Sequence, residues 1–352
     1  MRFASDNWAG ASERVIEAVA RAARDGGPAY GGDPLTASIE ARLAEIFERE
    51  VAVFLVGTGT AANALALSSY SRAGGAVLCH RDAHIATDEA GATEFFSGGM
   101  KTVAIDGPAG KITPDGLAAA LARYPERDVH HGQVVALSLT QRTEMGTAYT
   151  PADVALLAAA AKRRGAAVHM DGARFANAAA SLGASPAEMT WKAGVDVLSL
   201  GGTKNGCMAA EAVVFFEPTH ARDFGYARQR AGQGFSKAWF IAAQLDAYLD
   251  GGHWLDNARH ANAMAGKVAD AIRRSAGSTL AWEPAGNEVF AVIPRAVDDR
   301  LRADGASFYP WSVDVLSPDL RPGPDHIFVR LVTSWQTTAD EVALFAAILS
   351  DR

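Results

Sequence analysis

Short apolar runs alternate with amphipathic stretches along the first two thirds of the chain. Residues 51–56, 76–79, 134–139, 166–170 and 195–200 read as buried strands. Helical spacing marks residues 12–24, 36–48, 61–71, 114–123 and 151–164. Near-continuous apolar strands separated by helices predict a mostly parallel sheet covered on both faces. Punctuation agrees: Asp33-Pro34 and Thr150-Pro151 each set a capping side chain before proline at the first helical position. Gly165 follows the basic end of its helix, as a C-terminal stop should.

Beyond about residue 251 the pattern changes. One long helical stretch (253–275) leads into weaker alternating runs (289–293 and 327–332) and a last helix, 339–349. This predicts a large α/β domain over residues 1–250, including an N-terminal arm, and a smaller α+β domain over 251–352.

Composition narrows the class without naming a chemistry. The chain has 352 residues, 49% hydrophobic and 21% charged, as in an ordinary globular protein with a core large enough to need no staples. Its net charge of −7 comes from interspersed residues, 33 basic against 40 acidic, with no basic stripe for nucleic acid or anionic lipid. Cys79 and Cys207 are too few for a disulfide framework and lack metal-ligand spacing, so no metal is expected. The polar start and the lack of a long apolar run predict a soluble cytoplasmic protein without a membrane partner.

Three segments carry candidate chemistry, each just after a predicted strand. The first, Gly57-Thr58-Gly59-Thr60-Ala61-Ala62-Asn63, opens a helix, where small residues and a helix N-terminus suit an anion. It also reads as G-x-G-x-x-A, a dinucleotide fingerprint with Asp82 as the ribose acid, or as a plain turn. The second, Val168-His169-Met170-Asp171-Gly172-Ala173-Arg174, puts a carboxylate at a strand's C-terminal end. Such a charge needs a partner, either Arg174 or a protonated pyridine nitrogen. The third, Ser199-Leu200-Gly201-Gly202-Thr203-Lys204-Asn205-Gly206, holds a lysine among small residues, where desolvation would lower its pKa toward nucleophilic use. Cys207 beside it reads as a small buried thiol.

Taken together, a phosphate cradle, an acid and a lysine in this order are what pyridoxal 5'-phosphate requires. The cradle (Thr58, Gly59 and Thr60, with Thr203 and Gly201 able to join) takes the phosphate. Asp171 keeps the ring nitrogen protonated, and Lys204 binds the aldehyde covalently. A nicotinamide dehydrogenase would use the cradle alone and give no reason for the other two.

These residues resemble the L-threonine aldolases, within the aspartate-aminotransferase-like class of pyridoxal-phosphate enzymes. The resemblance runs from Ser5-Asp6-Asn7 to Arg330-Leu331-Val332-Thr333. It is carried by Tyr30-Gly31-Gly32-Asp33-Pro34, Thr58-Gly59-Thr60, Asp82-Ala83-His84-Ile85, Asp171-Gly172-Ala173-Arg174 and Thr203-Lys204. The family more often has Tyr-Gly-Glu-Asp-Pro, Ser-Asp-Thr and Ser-Lys-Gly at three of these places, which bears on subfamily and substrate range.

The resemblance implies fold type I, a mainly parallel seven-stranded sheet with a smaller α+β C-terminal domain. It implies that His84 stacks on the cofactor ring near the substrate hydroxyl, and that Ser5, Arg174 and Arg330 hold the substrate carboxylate. Tyr30 would reach a neighbouring subunit's site, and His130 (or His131) would be a second active-site histidine. Arg230 and Lys237 would reach a neighbour's phosphate. Sites are completed across a dimer interface, commonly within a tetramer. The implied reaction is cleavage of L-threonine, L-allo-threonine or a related 3-hydroxy-amino acid such as phenylserine to glycine and an aldehyde. The base is left open among His84, His130 and water. β-Elimination and transamination are the competing reactions.

Overall fold

A computed structural model describes residues 1–350. Seven strands build the main sheet: β1 (Ala52–Val56), β2 (Gly75–His80), β3 (Lys101–Ile105), β4 (Gln133–Thr140), β5 (Ala167–Gly172), β6 (Val197–Gly201) and β7 (Glu211–Phe215). Their spatial order is β1-β7-β6-β5-β4-β2-β3. β7 alone runs against both its neighbours, and the remaining pairs are parallel. The C-terminal ends of six strands therefore share one edge with the N-terminal end of β7. At that edge Thr140 lies opposite Asp171, Asp171 opposite Ser199, and Glu211 opposite both Gly201 and Val56. Open α/β sheets bind their ligands at this kind of edge.

Strand residues alternate between two apolar layers. Val214 of β7 joins the core shared with helices Glu13–Asp25, Pro34–Ile46 and Trp239–Leu249. Val213 and Phe215 turn to the opposite face, against helices Gly59–Ser68 and Phe224–Arg230. The apolar runs predict five of the seven strands. β3 lies at the sheet's edge with several positions open to solvent, so it lacks a continuous apolar run. β7 is wholly buried but was not picked out from the sequence. The predicted caps form: Asp33 accepts from the Thr36 amide, and Thr150 with Asp153 makes a reciprocal capping box. Gly165 takes φ 68°, the left-handed stop.

A second, antiparallel sheet follows: β8 (Thr279–Leu280), β9 (Glu288–Pro294), β10 (Tyr309–Pro310) and β11 (His326–Val332), ordered β10-β11-β9-β8. Its core gathers Val268, Ile272, Val289, Leu331 and Phe345, and also Phe3. The Phe3 amide donates to Ser307 O, and the Val332 amide donates to Phe3 O, each at 2.8 Å. The start of the N-terminal arm is thus built into the smaller unit, because that unit's core has room for an aromatic ring and its edge for a strand-like segment. Helix His253–Arg274 serves both cores, Trp254 and Ala258 in the larger and Val268 and Ile272 in the smaller. We propose two units meeting near residue 250, with residues 1–3 assigned to the second. Among the described residues no helix is long and apolar enough to cross a membrane.

Candidate active site

Two adjoining cavities open at the sheet edge. The inner one, about 370 Å³, is lined by Thr58, Gly59, Thr60, Asn63, Asp171, Thr203 and Lys204 among others. The outer one, about 430 Å³, is lined by Ser5, Asp82, Trp311, Ser312 and Arg330 among others. Asn7, His84, Glu144, Arg174 and Lys204 face both.

The loop after β1 ends in helix Gly59–Ser68, with Thr58 as N-cap accepting from the Ala61 amide. Gly59 has no positive φ, and a Cβ built on it would meet no atom within 4 Å. Neither backbone strain nor protein packing therefore requires glycine there. A side chain would project into the cradle, and its absence keeps the helix N-terminus open to an anion. The Gly57 amide is already used by Gln233 Oε1 at 2.9 Å.

Asp171, at the end of β5, is 4% exposed. Its Oδ2 accepts from Asn63 Nδ2 at 2.9 Å, and its Oδ1 from the Ala173 amide at 3.0 Å. Among the described residues no salt bridge forms to it, and Arg174 pairs with Asp6 instead. A buried carboxylate with neutral donors behind it and a cavity in front fits a protonated pyridine nitrogen.

Asn63 Nδ2 also donates to Glu89 Oε1 at 2.8 Å, and that oxygen contacts His84 Nδ1 at 2.9 Å. His84 is held above its ordinary pKa mainly by this bond to Glu89, against the pull of burial, with the Glu144 and Asp171 charges adding to the rise. Its other ring nitrogen makes no hydrogen bond to the described residues.

Lys204 sits in the turn Thr203–Asn205 and makes no hydrogen bond or salt bridge to the described residues. The turn beneath it is locked: Asn205 Nδ2 donates to Tyr248 Oη and Trp254 O, and Thr203 Oγ1 accepts from the Ala210 amide. A Cβ on Gly202 would meet Ala210 O at 2.7 Å. A rigid turn carrying an unpartnered amine that faces Asp171 across the cavity is what a covalently held aldehyde needs. Cys207, by contrast, is buried, and burial pushes its thiol well up, which removes it as a nucleophile.

Arg174 lines both cavities, but two of its three guanidinium nitrogens are already engaged. Nε and Nη2 bind Asp6 at 2.7 and 2.9 Å, and Nη2 lies 3.6 Å from Glu288. A buried guanidinium needs a fixed counter-charge, and the arm supplies one. Arg330, from β11, is open: it stacks 4.2 Å over Trp311, and its Nε is buried with no hydrogen-bond partner among the described residues. Arg142, buried and lining the inner cavity, is a third guanidinium that feels the Glu288 charge, with Arg174 and Arg330. Ser5 lines that cavity and caps the turn Asp6–Trp8.

Other expected residues lie outside these cavities. His130 and His131 are exposed and precede β4, at the opposite end of that strand from Thr140. His131 pairs with Asp128 at 3.1 Å. Tyr30 is 64% exposed with φ 56°, and Arg230 and Lys237 are exposed on either side of the loop bearing Gln233. Within one chain none of these five reaches the site.

Sequence reasoning missed Asn7, Asn63, Glu89, Arg142, Glu144 and Glu211. Burial raises the Glu211 carboxyl to about 7, even though it accepts from Thr203 and the Gly202 amide. Asn63 had a readable signal, an amide one turn into the cradle helix; the rest meet only through the fold.

Fold and site together define a pyridoxal-phosphate-dependent lyase of fold type I. Residues 2–295 match the model of the beta-eliminating lyase family. The chain is 42% identical over 311 residues to the low specificity L-threonine aldolase of Pseudomonas aeruginosa, covering 88% of this chain and 89% of that protein. It is 40% identical to the enzyme of the same name from a Pseudomonas species, over the same shares of both chains. A solved threonine aldolase from Leishmania major superimposes with a TM-score of 0.90 at 25% identity, over 99% of this chain and 98% of that one. The chain belongs to the beta-eliminating lyases and, within them, to the L-threonine aldolase family. That membership sets aside the nicotinamide reading of Gly57–Ala62, which gave no use for Asp171 and Lys204.

Proposed function

We propose that this protein cleaves L-threonine, L-allo-threonine or a related 3-hydroxy-amino acid, phenylserine included, to glycine and an aldehyde. The observation that carries this reading is the pairing of the two cavities. The inner one fits the cofactor between Lys204 and Asp171, and the outer one offers Arg330 with nothing bound to its buried Nε.

Bound pyridoxal phosphate supplies an electron-accepting ring that takes up the electron pair of the breaking Cα–Cβ bond. Asp171 holds the ring-nitrogen proton that makes such a ring electron-poor, and Asn63 keeps that carboxylate oriented. Thr58, Gly59, Thr60 and Thr203 would hold the phosphate. Arg330 and Ser5 fix the substrate carboxylate, with Arg174 beside them, which sets the orientation of the substituents on Cα. The Glu89-bound His84 lines both cavities, at the junction where the departing aldehyde oxygen would lie.

We further place the enzyme in the cytoplasm as a homo-oligomer, a dimer of dimers. Supporting this are Tyr30, His130, Arg230 and Lys237, which are exposed in one chain and would find a role only at a neighbour's site. The products test the reaction: L-threonine is expected to yield acetaldehyde and glycine in equal amounts. Ammonia with 2-oxobutyrate as the main products would replace this reading with β-elimination. Lys204→Ala is expected to lose the cofactor's yellow absorbance and all cleavage.

A further inference from the structure

Breaking the Cα–Cβ bond requires a base for the β-hydroxyl, and the residues expected to supply one are poorly placed. His84 Nδ1 is engaged by Glu89 at 2.9 Å, a bond that favours the ring holding its proton over taking another. His130 stands at the far end of β4. Building on the aldolase reading, we propose that Glu144 accepts the β-hydroxyl proton.

Its position carries the assignment. Among the described residues Glu144 is the one carboxylate that lines both cavities, at the junction of the Lys204–Asp171 chamber and the Arg330–Ser5 chamber. A substrate with its amine toward Lys204 and its carboxylate toward Arg330 carries its Cβ past this junction. Glu144 makes no hydrogen bond or salt bridge to the described residues, so its oxygens are free to accept a proton. The loop that bears it is held on both shoulders. Gln141 and Tyr149 exchange two hydrogen bonds at 2.8 and 3.1 Å, and Arg142 Nη1 donates to Gly146 O at 2.8 Å. Thr143 Oγ1 meets Thr147 Oγ1 at 2.7 Å, and the Gly146 amide donates to Thr143 O at 2.9 Å. So rigid a hairpin places one free carboxylate without spending substrate binding on ordering it.

The charges around it suit the task. Burial, with Asp171 and Glu288 as like charges, raises the carboxyl to about 7, while Lys204 and Arg174 pull it down. His84 and Arg330 face it from the other side and feel its charge in turn. A base near neutrality both ionises and binds a proton usefully. In the step, the O–H bond breaks to Glu144 and its electron pair closes the aldehyde C=O. The Cα–Cβ bond breaks in the same step and leaves its electron pair at Cα, which takes up a proton from solvent to give glycine while Glu144 returns the hydroxyl proton to solvent.

Holoenzyme carrying Glu144→Gln, nearly isosteric, tests this against a reaction without a hydroxyl: exchange of the glycine α-proton in deuterated water. Acetaldehyde release from L-threonine is expected to fall about 10²–10⁴-fold, with glycine exchange kept within about threefold. The rise of kcat with pH near 7 should also disappear, and Glu144→Asp should recover part of the rate. Cleavage by Glu144→Gln within about threefold of the parent, or an equal fall in cleavage and exchange, overturns the assignment. Failure of the parent enzyme to release acetaldehyde refutes the aldolase reading and this assignment with it. Normal parent cleavage with an active Glu144→Gln refutes the assignment alone.

Discussion

Asp6 grips Arg174 from the far end of the chain, Oδ2 to Nε at 2.7 Å and Oδ1 to Nη2 at 2.9 Å, with both side chains almost wholly buried. Burial pushes the Asp6 carboxyl up, but the Arg174 charge, the Lys204 charge and the hydrogen bonds from Arg174 and Asn287 more than offset it and hold it below the usual range. Asp6→Ala leaves a buried guanidinium without its hydrogen-bonded counter-charge, with Glu288 and Glu144 acting only at longer range. It is expected to cost about 3–5 kcal/mol of stability, read as a lower urea midpoint of the cofactor-free protein. A midpoint unchanged from the parent would mean that Arg174 finds another counter-charge.

Asn63 joins the two halves of the cofactor chamber, since one amide nitrogen serves both Glu89 and Asp171. Without it, two buried carboxylates would face each other with a donor missing between them. Asn63→Leu is expected to cost about 1–3 kcal/mol of stability and to weaken pyridoxal phosphate about tenfold. Titration of the cofactor-free variant, followed by tryptophan quenching, reads the second effect. Unchanged affinity would show that Asp171 is oriented by the Ala173 amide alone.

Arg330 is matched to a planar anion by its stacking on Trp311 and its buried, unpartnered Nε. Burial lowers its pKa, yet a guanidinium stays charged, so the group is a desolvated cation facing a cavity. Arg330→Ala removes a charged hydrogen bond of about 1.5–3 kcal/mol, and KM for L-threonine is expected to rise about 10–100-fold. Arg330→Lys should recover little, because an ammonium neither stacks nor forks. Steady-state kinetics with saturating cofactor decide it; a KM within twofold of the parent, roughly the spread of such measurements, would move the carboxylate site to Arg174.

Much of this was readable in the sequence because a parallel sheet delivers its strand ends to one edge. Each motif that followed an apolar run, Gly57–Ala62, Asp171 and Lys204, therefore had to meet the others. What the chain order hides is pairing between distant segments. Asp6 taking the Arg174 fork spans 168 positions, and nothing local in either segment announces it. Glu144 and Glu211 look like ordinary solvated acids in sequence; Glu144 becomes half-buried and Glu211 buried only because β4 ends beside β5 and the antiparallel β7 begins beside β1 and β6. The exposed placement of His130, Tyr30, Arg230 and Lys237 marks a further limit, since roles implied by resemblance depend on a second chain that one chain's sequence cannot position.

Gly59 allows stability and ligand binding to be separated in a single substitution. It is the first residue of helix Gly59–Ser68, its φ is not left-handed, and a Cβ there touches nothing within 4 Å. Alanine at a compatible backbone position restricts the unfolded chain, so Gly59→Ala is expected to stabilise the cofactor-free protein by about 0.4–1 kcal/mol. The same methyl group would stand in the opening of the helix N-terminus, where backbone amides must approach a phosphate closely. Affinity for pyridoxal phosphate should fall about tenfold or more, at least 1.4 kcal/mol, while pyridoxal lacking the phosphate should be much less affected. Thermal unfolding without ligand and parallel titrations with the two forms of the cofactor read the three effects. Equal losses for both forms would place the methyl group against the ring rather than the phosphate, and no loss for either would remove Gly59 from the cradle.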